Sequence, residues 1–428
     1  MRLKNILKII LPLSILNRLI YVRAQLPPMN LMRIKQSHKT RIKKIRKSNK
    51  ARVIFLAGSL AMWRYQKIYE ILSSDQRFEI IILICPPAMR KDNNTITELE
   101  SYFNMLKMPF INAYNIDCNK YITEWDPDII FYCQPYDSAL GNAFDCEHNL
   151  RRLLCYVPYA LLTVNKSFAY NCLLHNCAWR YYQATELHLR TSRQLSMNYG
   201  ENIRVVGEPH ADDFAKPVDY DPWIKHEDGK IRKRIIWAPH ASIQKVSSLN
   251  RHGFLWLHNA MLHFAEKYKD SIQIAFKPHP YLKDSLREIW GETKTKEYYE
   301  KWERAENTQI ETGEFIDLFK TSDALIHDCG SFTGEYIFTG KPVMFTTQDI
   351  TELYNSADYF GIECLNCHYF GKNVAEVEKF IIDIINNAED SLLEKRIYLK
   401  QRFLTPPKGQ SVAKNVYEDI VHSIYGKY

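Results

Sequence analysis

The sequence predicts an α/β protein of two doubly wound halves, and three observations support this. The chain has 428 residues, which is too long for one typical core and suits two domains of about 150–200 residues each. Short apolar strands alternate with helical segments, as in βαβ units with parallel sheets. The alternation stops at 210–233, a polar and highly charged segment that is predicted to be a linker.

The first half begins with a buried strand at Arg52–Ala57 (RVIFLA), which Gly58-Ser59 turns into a helix at 61–73. The same alternation predicts further elements up to the linker. These are strands at 79–84, 109–114, 126–133, 153–162 and 203–209, and a helix at 95–107.

The second half repeats the pattern, with no internal repeat of 20–50 residues. The predicted strands lie at 234–239, 271–278, 309–311, 323–328 and 342–346. The predicted helices lie at 253–268, 281–291, 296–306, 314–321, 331–339, 373–387, 391–403 and 411–425. The predicted organisation is an N-terminal arm at 1–50, a first domain at 51–215, a second domain at 230–405 and a C-terminal helix at 406–428.

Basic residues are concentrated in the arm. Seventeen of the 57 Lys and Arg precede Glu70, the first acidic residue, so residues 70–428 carry 40 basic and 49 acidic side chains. Residues 3–22 are largely apolar with three charges, and ten Lys and Arg follow from Arg33 to Arg52. An apolar helix followed by a polybasic run predicts peripheral binding to an anionic membrane surface, with no nucleic-acid partner.

Two other interpretations of the arm stay open. One is a loosely packed helix followed by a solvated basic linker. The other is a cleaved signal peptide, although no convincing small-x-small cleavage site follows the apolar region.

The ten cysteines have no framework spacing, which is typical of reduced thiols in a cytosolic compartment. Cys364-x-x-Cys367-His368 matches a haem-attachment pattern, and Cys172, His175 and Cys177 could complete a zinc site with it. Ordinary buried cysteines are the simpler interpretation. The sequence therefore predicts no metal and no cofactor.

Polar residues follow three strands of the second half. His240 follows the first, Lys277 and His279 follow the second, and Asp328 follows the third. Because the carboxyl ends of parallel strands share one edge, these residues are expected to converge there. Lysine, histidine and hydroxyl side chains suit a pyrophosphate.

The stretch "DCGSFTGEY" is predicted to start the helix at 331–339. Gly330 allows a close backbone approach, Ser331 is expected to cap the helix, and Ser331 and Thr333 are expected to bind one phosphate near the helix N-terminus. Glu335 is placed to reach a ribose or a phosphate-bound partner. An ordinary capped helix is the alternative interpretation.

Other features of the sequence disfavour two common classes of nucleotide-binding enzyme and one kind of metal site. No G-x-G-x-x-G follows the first strand and no G-x-x-x-x-G-K-[ST] occurs, which disfavours dinucleotide oxidoreductases and P-loop NTPases. Asp126-x-Asp128 precedes a strand, so it is interpreted as a strand entry and not as a metal-binding pair.

The motifs "IIWAPHAS", "FKPHP" and "FIDLFKTSDALIHDCGSFTGEYIFTGKPVMF" resemble the C-terminal half of the CDP-glycerol glycerophosphotransferases of teichoic-acid and capsule synthesis. The resemblance covers about 230–350 well. It covers 50–215 weakly, through "WDPDIIF", "LLCYVPYALL" and "VVGEPHADDF". The chain departs from the family pattern at three places: His240 replaces a threonine, Gly330 replaces a serine, and Tyr159-Ala160 stands where the family has His-Gly.

This resemblance implies a GT-B-like fold, in which the second domain binds the donor nucleotide and the first binds the acceptor. It implies that His279 contacts the donor pyrophosphate and that Ser331 and Thr333 bind its phosphates. The predicted catalytic residues are His240, His279 and Tyr159, with His210 and Asp212 as further candidates for the base. The predicted donor-binding residues are Lys277, His279, Asp328, Gly330, Ser331, Thr333 and Glu335.

The predicted function is that of a membrane-associated transferase at the cytoplasmic face of the cell membrane. It would move a glycerol-phosphate-like group from a CDP-alcohol donor to a lipid-linked or surface-glycan acceptor. Two alternatives stay open: a GT-B glycosyltransferase that uses a nucleotide sugar, and a non-catalytic GT-B-like protein.

Overall fold

Both sheets of the protein are parallel and follow the strand order of doubly wound folds. The computed structural model describes residues 28–85, 93–136, 142–243 and 253–426. The chain divides into two compact units. The first contains 1–160, 166–209 and 406–428, and the second contains 161–165 and 210–405.

The sheet of the first unit has seven strands. In chain order they are β1 (Ala51–Ala57), β2 (Phe78–Ile84), β3 (Phe110–Asn112), β4 (Ile129–Tyr132), β5 (Leu153–Tyr156), β6 (Arg180–Gln183) and β7 (Ile203–Val205). They pair in the order β3-β2-β1-β4-β5-β6-β7. The central strand β1 is apolar except for the exposed Arg52 and otherwise buried, as expected for a parallel sheet covered on both faces. The helices of this unit are Pro28–Ser48, Gln66–Ser73, Asn93–Met105, Cys118–Trp125, Cys146–Asn149, Ser167–Tyr170, Leu173–Cys177, Glu186–Leu195 and Val412–Tyr425.

The second half of the predicted arm is the helix Pro28–Ser48, which packs on the first unit. Ile34 and Ile45 are buried on one of its faces. Arg41 on the same face donates to Asp126 at 2.9 Å and to Asp128 at 3.1 Å. The alternative interpretation of the basic run as a solvated linker is therefore wrong, whereas the loosely packed helix of that alternative, the apolar stretch 3–22, lies outside the described residues. Among the described helices, none is long and apolar enough to cross a membrane.

The paired aspartates before β4 make structural hydrogen bonds within the first unit. Burial alone would raise the pKa of Asp126, but hydrogen bonds from Arg41 and Lys44 outweigh it and lower that pKa to about 2. The second carboxylate of the pair, that of Asp128, also accepts the main-chain N–H of Arg52 at 3.0 Å. These contacts agree with a strand entry, the interpretation made from the sequence.

The C-terminal segment returns to the first unit, where its helix packs beside β7. Asn415 donates to the main-chain oxygen of Val206 at 3.1 Å, and Arg180 at the start of β6 pairs with Asp419 at 2.7 Å. Gly207 has a φ of +104°, and a Cβ there would lie 2.8 Å from Val412. The chain therefore needs glycine at this exit of β7 to admit the returning helix.

The sheet of the second unit has six strands. In chain order they are β8 (Lys233–Ala238), β9 (Ile272–Phe276), β10 (Thr308–Ile310), β11 (Ala324–His327), β12 (Val343–Thr346) and β13 (Tyr369–Gly371). They pair in the order β10-β9-β8-β11-β12-β13. The helices are Ala211–Phe214, Gly253–Lys267, Leu282–Trp290, Glu292–Arg304, Ile316–Thr321, Phe332–Glu335, Ile350–Ser356, Tyr359–Leu365, Val374–Ile385 and Leu393–Leu399.

The polar segment predicted as a linker packs on the second unit instead. Trp223 is buried, and its indole N–H donates to the hydroxyl of Thr321 at 3.0 Å. The side chain of Gln309 on the edge strand β10 bonds the main chain at Pro222 and Ile224. This segment therefore covers the open edge of the sheet, which is a common way to protect an edge strand.

Buried neutral histidines make the stability of the protein depend on pH. Burial lowers the pKa of His38 to about 4, that of His175 to about 3 and that of His368 to about 4, all below the ordinary value near 6.5. A group with a lowered folded-state pKa binds its proton more readily in the unfolded chain. It therefore contributes its full stability above pH 6.5 and loses it as the pH falls from 6.5 towards 4.

We expect each of these histidines to contribute about 2 kcal/mol less to the free energy of unfolding at pH 5 than at pH 7.5. Urea unfolding at both pH values measures this loss. The His175→Gln variant should lose less stability on acidification than the natural chain. Equal stability at pH 5 and pH 7.5 would contradict the prediction.

Candidate functional site

The strand exits of the second unit place the predicted site at the point where the strand order reverses. β8 lies between β9 and β11, and the chain continues from them into Pro239-His240, Lys277-Pro278-His279 and Asp328. Ligands of doubly wound sheets bind in this crevice, outside the carboxyl ends of the strands. The residues that the sequence predicts to converge therefore follow neighbouring strands at one edge of this sheet.

Asp328, at the exit of β11, joins the exit of β8 and the start of the helix Gly253–Lys267 through two hydrogen bonds. One carboxylate oxygen accepts the main-chain N–H of His240 at 2.6 Å, and the other accepts that of Gly253 at 3.0 Å. Gly253 begins the helix Gly253–Lys267, and a Cβ there would lie 2.5 Å from the hydroxyl of Thr346. Asp328 is almost fully buried. These contacts give its carboxylate a framework role, and a donor contact by Asp328 stays a prediction.

His240 and His279 form a pair of imidazoles with ring centroids 4.8 Å apart. Nδ1 of His240 accepts the main-chain N–H of Ser242 at 3.1 Å, and Nδ1 of His279 accepts that of Tyr281 at 3.2 Å. A ring nitrogen that accepts a hydrogen bond carries no hydrogen, so each neutral ring carries its hydrogen on Nε2. The pair is therefore set up as two hydrogen-bond donors, which is the property that anionic phosphate oxygens require.

Lys277 follows β9 but bonds within the protein. Its ammonium group donates to the main-chain oxygen of Gly313 at 2.6 Å, and the residue is buried. Burial lowers the pKa of Lys277, while Glu311 and Glu314 act in the opposite direction. Lys277 thereby fixes the loop after β10, and its contact with donor phosphate stays a prediction.

The predicted helix at 331–339 is helical over 332–339, but it changes type in the middle. It is one α-helical turn, Phe332–Glu335, followed by a 3₁₀ turn at Tyr336–Thr339. Ser331 has helical backbone angles and its side chain makes no capping hydrogen bond, so the predicted cap is wrong. The α-helical part is a single turn, and the predicted phosphate site depended on a dipole summed over several α-helical turns.

The other predicted residues of this loop differ in what they contact. The hydroxyl of Thr333 donates to the main-chain oxygen of Cys329 at 3.0 Å and is buried. The main-chain oxygen of Gly330 accepts the hydroxyl of Thr163 at 3.0 Å. Ser331 is half-buried beside them. Phosphate binding by Ser331 and Thr333 stays a prediction that rests on the resemblance.

Glu335 and His210 are brought together from distant parts of the second unit. Nδ1 of His210 lies 3.7 Å from a carboxylate oxygen of Glu335, and the two side chains are 15% and 1% exposed. The His210 ring packs against Phe315 with centroids 5.0 Å apart. Nothing in the spacing of the sequence indicates this pair, because 125 residues separate its members.

Tyr159, the third predicted catalytic residue, belongs to the first unit. Its main-chain oxygen accepts the Nε–H of Arg64 at 2.8 Å, and Arg64 also lies 3.8 Å from Glu208. Burial, followed by the neighbouring Tyr159, raises the pKa of Tyr136 well above its ordinary value. Sequence reasoning missed Arg64 and Glu208, although Glu208 follows β7 and the strand-exit rule could have pointed to it.

The Cys364-x-x-Cys367-His368 motif does not gather metal ligands. Among the described residues, no cluster of three metal-ligating atoms contains any of the three side chains. His368 instead donates from Nδ1 to the main-chain oxygen of Cys364 at 2.7 Å, and its Nε2 lies 3.2 Å from that of His327. Both histidines are buried, so the motif contributes to the core beneath β11 and β12.

Comparison with known families supports the assignment that the motifs suggested. Residues 249–422 match the family described as CDP-Glycerol:Poly(glycerophosphate) glycerophosphotransferase. This span contains His279, Asp328 and Glu335. The match confirms the resemblance and the predicted enzyme class, a CDP-glycerol glycerophosphotransferase-like transferase. No curated protein sequence matches the chain.

Solved structures share the fold over almost the whole chain. A putative UDP-N-acetylglucosamine 2-epimerase from Listeria monocytogenes has a TM-score of 0.58 at 16% identity, covering 89% of this chain and 98% of that one. MnaA from S. aureus, solved with UDP, has 0.57 at 14%, covering 88% and 97%. The wall teichoic acid polymerase TagF has 0.55 at 13%, covering 96% and 97%. At these identities the likeness shows the fold, and the predicted GT-B-like class of two Rossmann-like domains is confirmed.

The framework role of Asp328 can be tested by Asp328→Asn. An amide removes the charge from two hydrogen bonds and points its NH₂ group at one of the two main-chain donors. We expect the free energy of unfolding to fall by about 2–4 kcal/mol. The control is Asp284→Asn, the same chemical change at an exposed helix position. We expect it to lower the free energy of unfolding by less than about 0.5 kcal/mol. Urea unfolding of both variants measures the difference, and equal midpoints would contradict the framework role.

Proposed function

We propose that the protein transfers a glycerol-phosphate-like group from a CDP-activated donor to a lipid-linked or surface-glycan acceptor. The process it would serve is synthesis of a cell-envelope polymer, either teichoic acid or capsule. The family match supplies the reaction class. The TagF structure, described as soaked with CDPG, supports a CDP-linked donor for a protein of this fold.

The observation that carries this proposal is the imidazole pair at the strand exits. The rings of His240 and His279 have centroids 4.8 Å apart, and they follow the strand exits where doubly wound domains bind phosphate-containing ligands. A pyrophosphate concentrates negative charge on oxygens that such donors stabilise. Tyr281 lies beside His279 at 5.3 Å and is 37% exposed, so its ring is a candidate surface for the nucleotide base.

The proposed reaction begins when a hydroxyl of the acceptor attacks the β-phosphorus of the donor. The bond from the β-phosphorus to the bridging oxygen breaks, and CMP leaves with the electron pair. Charge grows on the phosphoryl oxygens and on the leaving CMP in the transition state. Donors that are already oriented, as His240 and His279 are, stabilise that charge without reorganising.

The alternative activity is transfer of a sugar from a nucleotide sugar. It gains some support from solved structures of the same fold whose descriptions name UDP or UDP-GlcNAc. The two reactions differ in the nucleotide that is released, because attack on the β-phosphorus releases CMP and attack on sugar carbon releases a nucleoside diphosphate. Incubation with CDP-glycerol or UDP-GlcNAc and a membrane acceptor fraction therefore distinguishes them. No release from either donor would favour a non-catalytic protein.

His279→Ala should abolish donor turnover and weaken CDP-glycerol binding about 10- to 100-fold, because a hydrogen bond to a charged oxygen is lost. Calorimetric titration measures binding, and CMP release measures turnover. The matched control is His263→Ala, which removes an exposed histidine from the helix Gly253–Lys267. The assignment of His279 fails if its variant binds and turns over donor as the control does.

Peripheral attachment to the cytoplasmic face of the membrane belongs to the same proposal. The face of the helix Pro28–Ser48 opposite Ile34 and Ile45 carries Lys39, Lys43 and Lys47, all exposed. Lysines at spacings of four residues form one stripe along a helix. Each contributes about 1 kcal/mol at an anionic surface. The apolar residues 3–22 precede this stripe in the sequence and supply a second signal for binding.

Replacing Lys39, Lys43 and Lys47 together by Glu should weaken binding to anionic vesicles at least about 100-fold, since three favourable charges are lost. Co-sedimentation with phosphatidylglycerol vesicles measures this. Deleting 1–27 should also weaken binding and leaves the buried residues of the helix in place.

The matched control replaces the exposed Lys225, Lys372 and Lys395 of the second unit by Glu, which changes the net charge equally. Equal loss of vesicle binding in both triple variants would show a general charge effect. It would contradict a specific membrane-binding stripe.

A further inference from the structure

We propose that His210 is the general base of the transfer reaction and that Glu335 is the residue that positions it. This inference rests on the proposed function and assigns the group that takes the proton from the acceptor hydroxyl. Both residues belong to the second unit, and their side-chain atoms approach to 3.7 Å.

The environment of His210 holds its ring in place. The residue directly precedes the helix Ala211–Phe214, and Phe315 packs against the ring with centroids 5.0 Å apart. Glu335 is 1% exposed, so its carboxylate lies in a region of low dielectric constant, where it interacts strongly with a neighbouring charge. A separation of 3.7 Å is an ion-pair distance, and such contacts commonly shorten when substrate binds.

The pair lies next to the predicted donor site. The main-chain N–H of Glu335 donates to the oxygen of Ser331 at 3.0 Å, so Glu335 is one turn beyond this loop residue. Phe315, which packs on His210, also contacts Phe332 at 5.3 Å. The loop begins at Asp328, whose carboxylate binds the main chain of His240. These contacts link His210 to the strand exits through a continuous set of packed residues.

The chemistry of the pair differs from that of the other two histidines. A carboxylate near Nδ1 favours the tautomer with its hydrogen on Nδ1, which makes Nε2 the basic nitrogen. In His240 and His279 a main-chain N–H occupies Nδ1, so the hydrogen is on Nε2 and those rings act as donors. Among these three rings of the second unit, His210 is therefore the one whose partner favours a basic Nε2.

The step balances without a further reactant. Nε2 of His210 accepts the proton of the acceptor hydroxyl while the oxygen forms its bond to the β-phosphorus. The bond from that phosphorus to the bridging oxygen breaks, and CMP leaves with the electron pair. The imidazolium that results is stabilised by the carboxylate of Glu335 and returns its proton to solvent.

Several charged groups besides Glu335 belong to the chain segments around His210. Glu208 lies two residues before it in the chain and is 3.8 Å from Arg64. Lys320 donates to the main-chain oxygen of Asp213 at 2.8 Å on the helix that follows. Asp212, Asp213, Glu314 and Asp317 are further acidic residues of these segments.

The test uses the full chain with CDP-glycerol and a membrane acceptor fraction. We expect His210→Gln to lower kcat at least about 100-fold, the usual contribution of a general base, with a donor Kd within about threefold of the natural value. His263→Ala is the matched control and should keep the natural kcat. Thermal melts of all variants show whether they are folded.

The pH profile separates a positioning role of Glu335 from a structural one. The carboxylate stabilises the protonated imidazole, so its removal makes His210 a weaker base. Glu335→Gln should therefore lower kcat and move the acid limb of the kcat/KM profile to lower pH by about one unit, and Glu335→Asp should restore part of both. A variant that merely disturbed packing would lower kcat without moving the limb.

The outcomes distinguish this inference from the function on which it rests. If the natural chain releases CMP and His210→Gln keeps kcat within about threefold, the inference is overturned and the proposed function stands. An acid limb that does not move in a folded Glu335→Gln variant overturns the role of Glu335. Absence of CMP release by the natural chain overturns the proposed function and this inference with it.

Discussion

The second unit depends on one buried carboxylate and two main-chain amides. Asp328 binds the N–H groups of His240 and Gly253, and so joins the exits of β8 and β11 to the first turn of the helix Gly253–Lys267. An ionised carboxylate that is buried must be compensated, and two charge-assisted hydrogen bonds do this here. The helix N-terminus, which would otherwise attract a ligand anion, is already neutralised by the protein itself. A donor phosphate is therefore expected to bind to side chains at this edge and not to that helix.

The same constraint explains how the histidines are oriented. Fixing the main chain at His240 fixes the turn that returns Ser242 to Nδ1, and the next strand exit repeats the arrangement with Tyr281 and His279. Each ring accepts a main-chain N–H from two residues later, and Nδ1 of His240 also lies 2.8 Å from the hydroxyl of Ser242. Little conformational entropy remains to be lost when a ligand binds, which is what preorganised electrostatic stabilisation requires.

The parts of this arrangement that follow local rules could be predicted from the sequence. Apolar runs located β8, β9 and β11, and the geometry of parallel sheets placed their exits together. Residue type alone could not separate ligand-binding groups from framework groups: Asp328 and Lys277 have the chemistry of a site but bond to main-chain atoms. The predicted Ser331 cap is wrong because Ser331 has helical backbone angles, whereas a capping residue normally has an extended backbone. The helix Tyr359–Leu365 is absent from the sequence-based prediction, although Asp358 caps it by accepting the N–H of Gly361 at 2.6 Å and its buried residues recur at helical spacing.

Long-range pairing marks the limit of prediction from one sequence. The basic run at 33–52 is predicted to bind an anionic membrane surface, with a solvated linker as the alternative. Its packing on the first unit could not be predicted, because the partners of Arg41 lie 85 and 87 residues away. His210 and Glu335 are each candidates in the sequence, but nothing there pairs them. The structure brings them to 3.7 Å, and the proposed role of His210 as the base rests on that contact. A residue type indicates only that acid–base chemistry is available. Whether a histidine donates to a phosphate or accepts a proton depends on which of its nitrogens a neighbour occupies, and tertiary structure alone determines that neighbour.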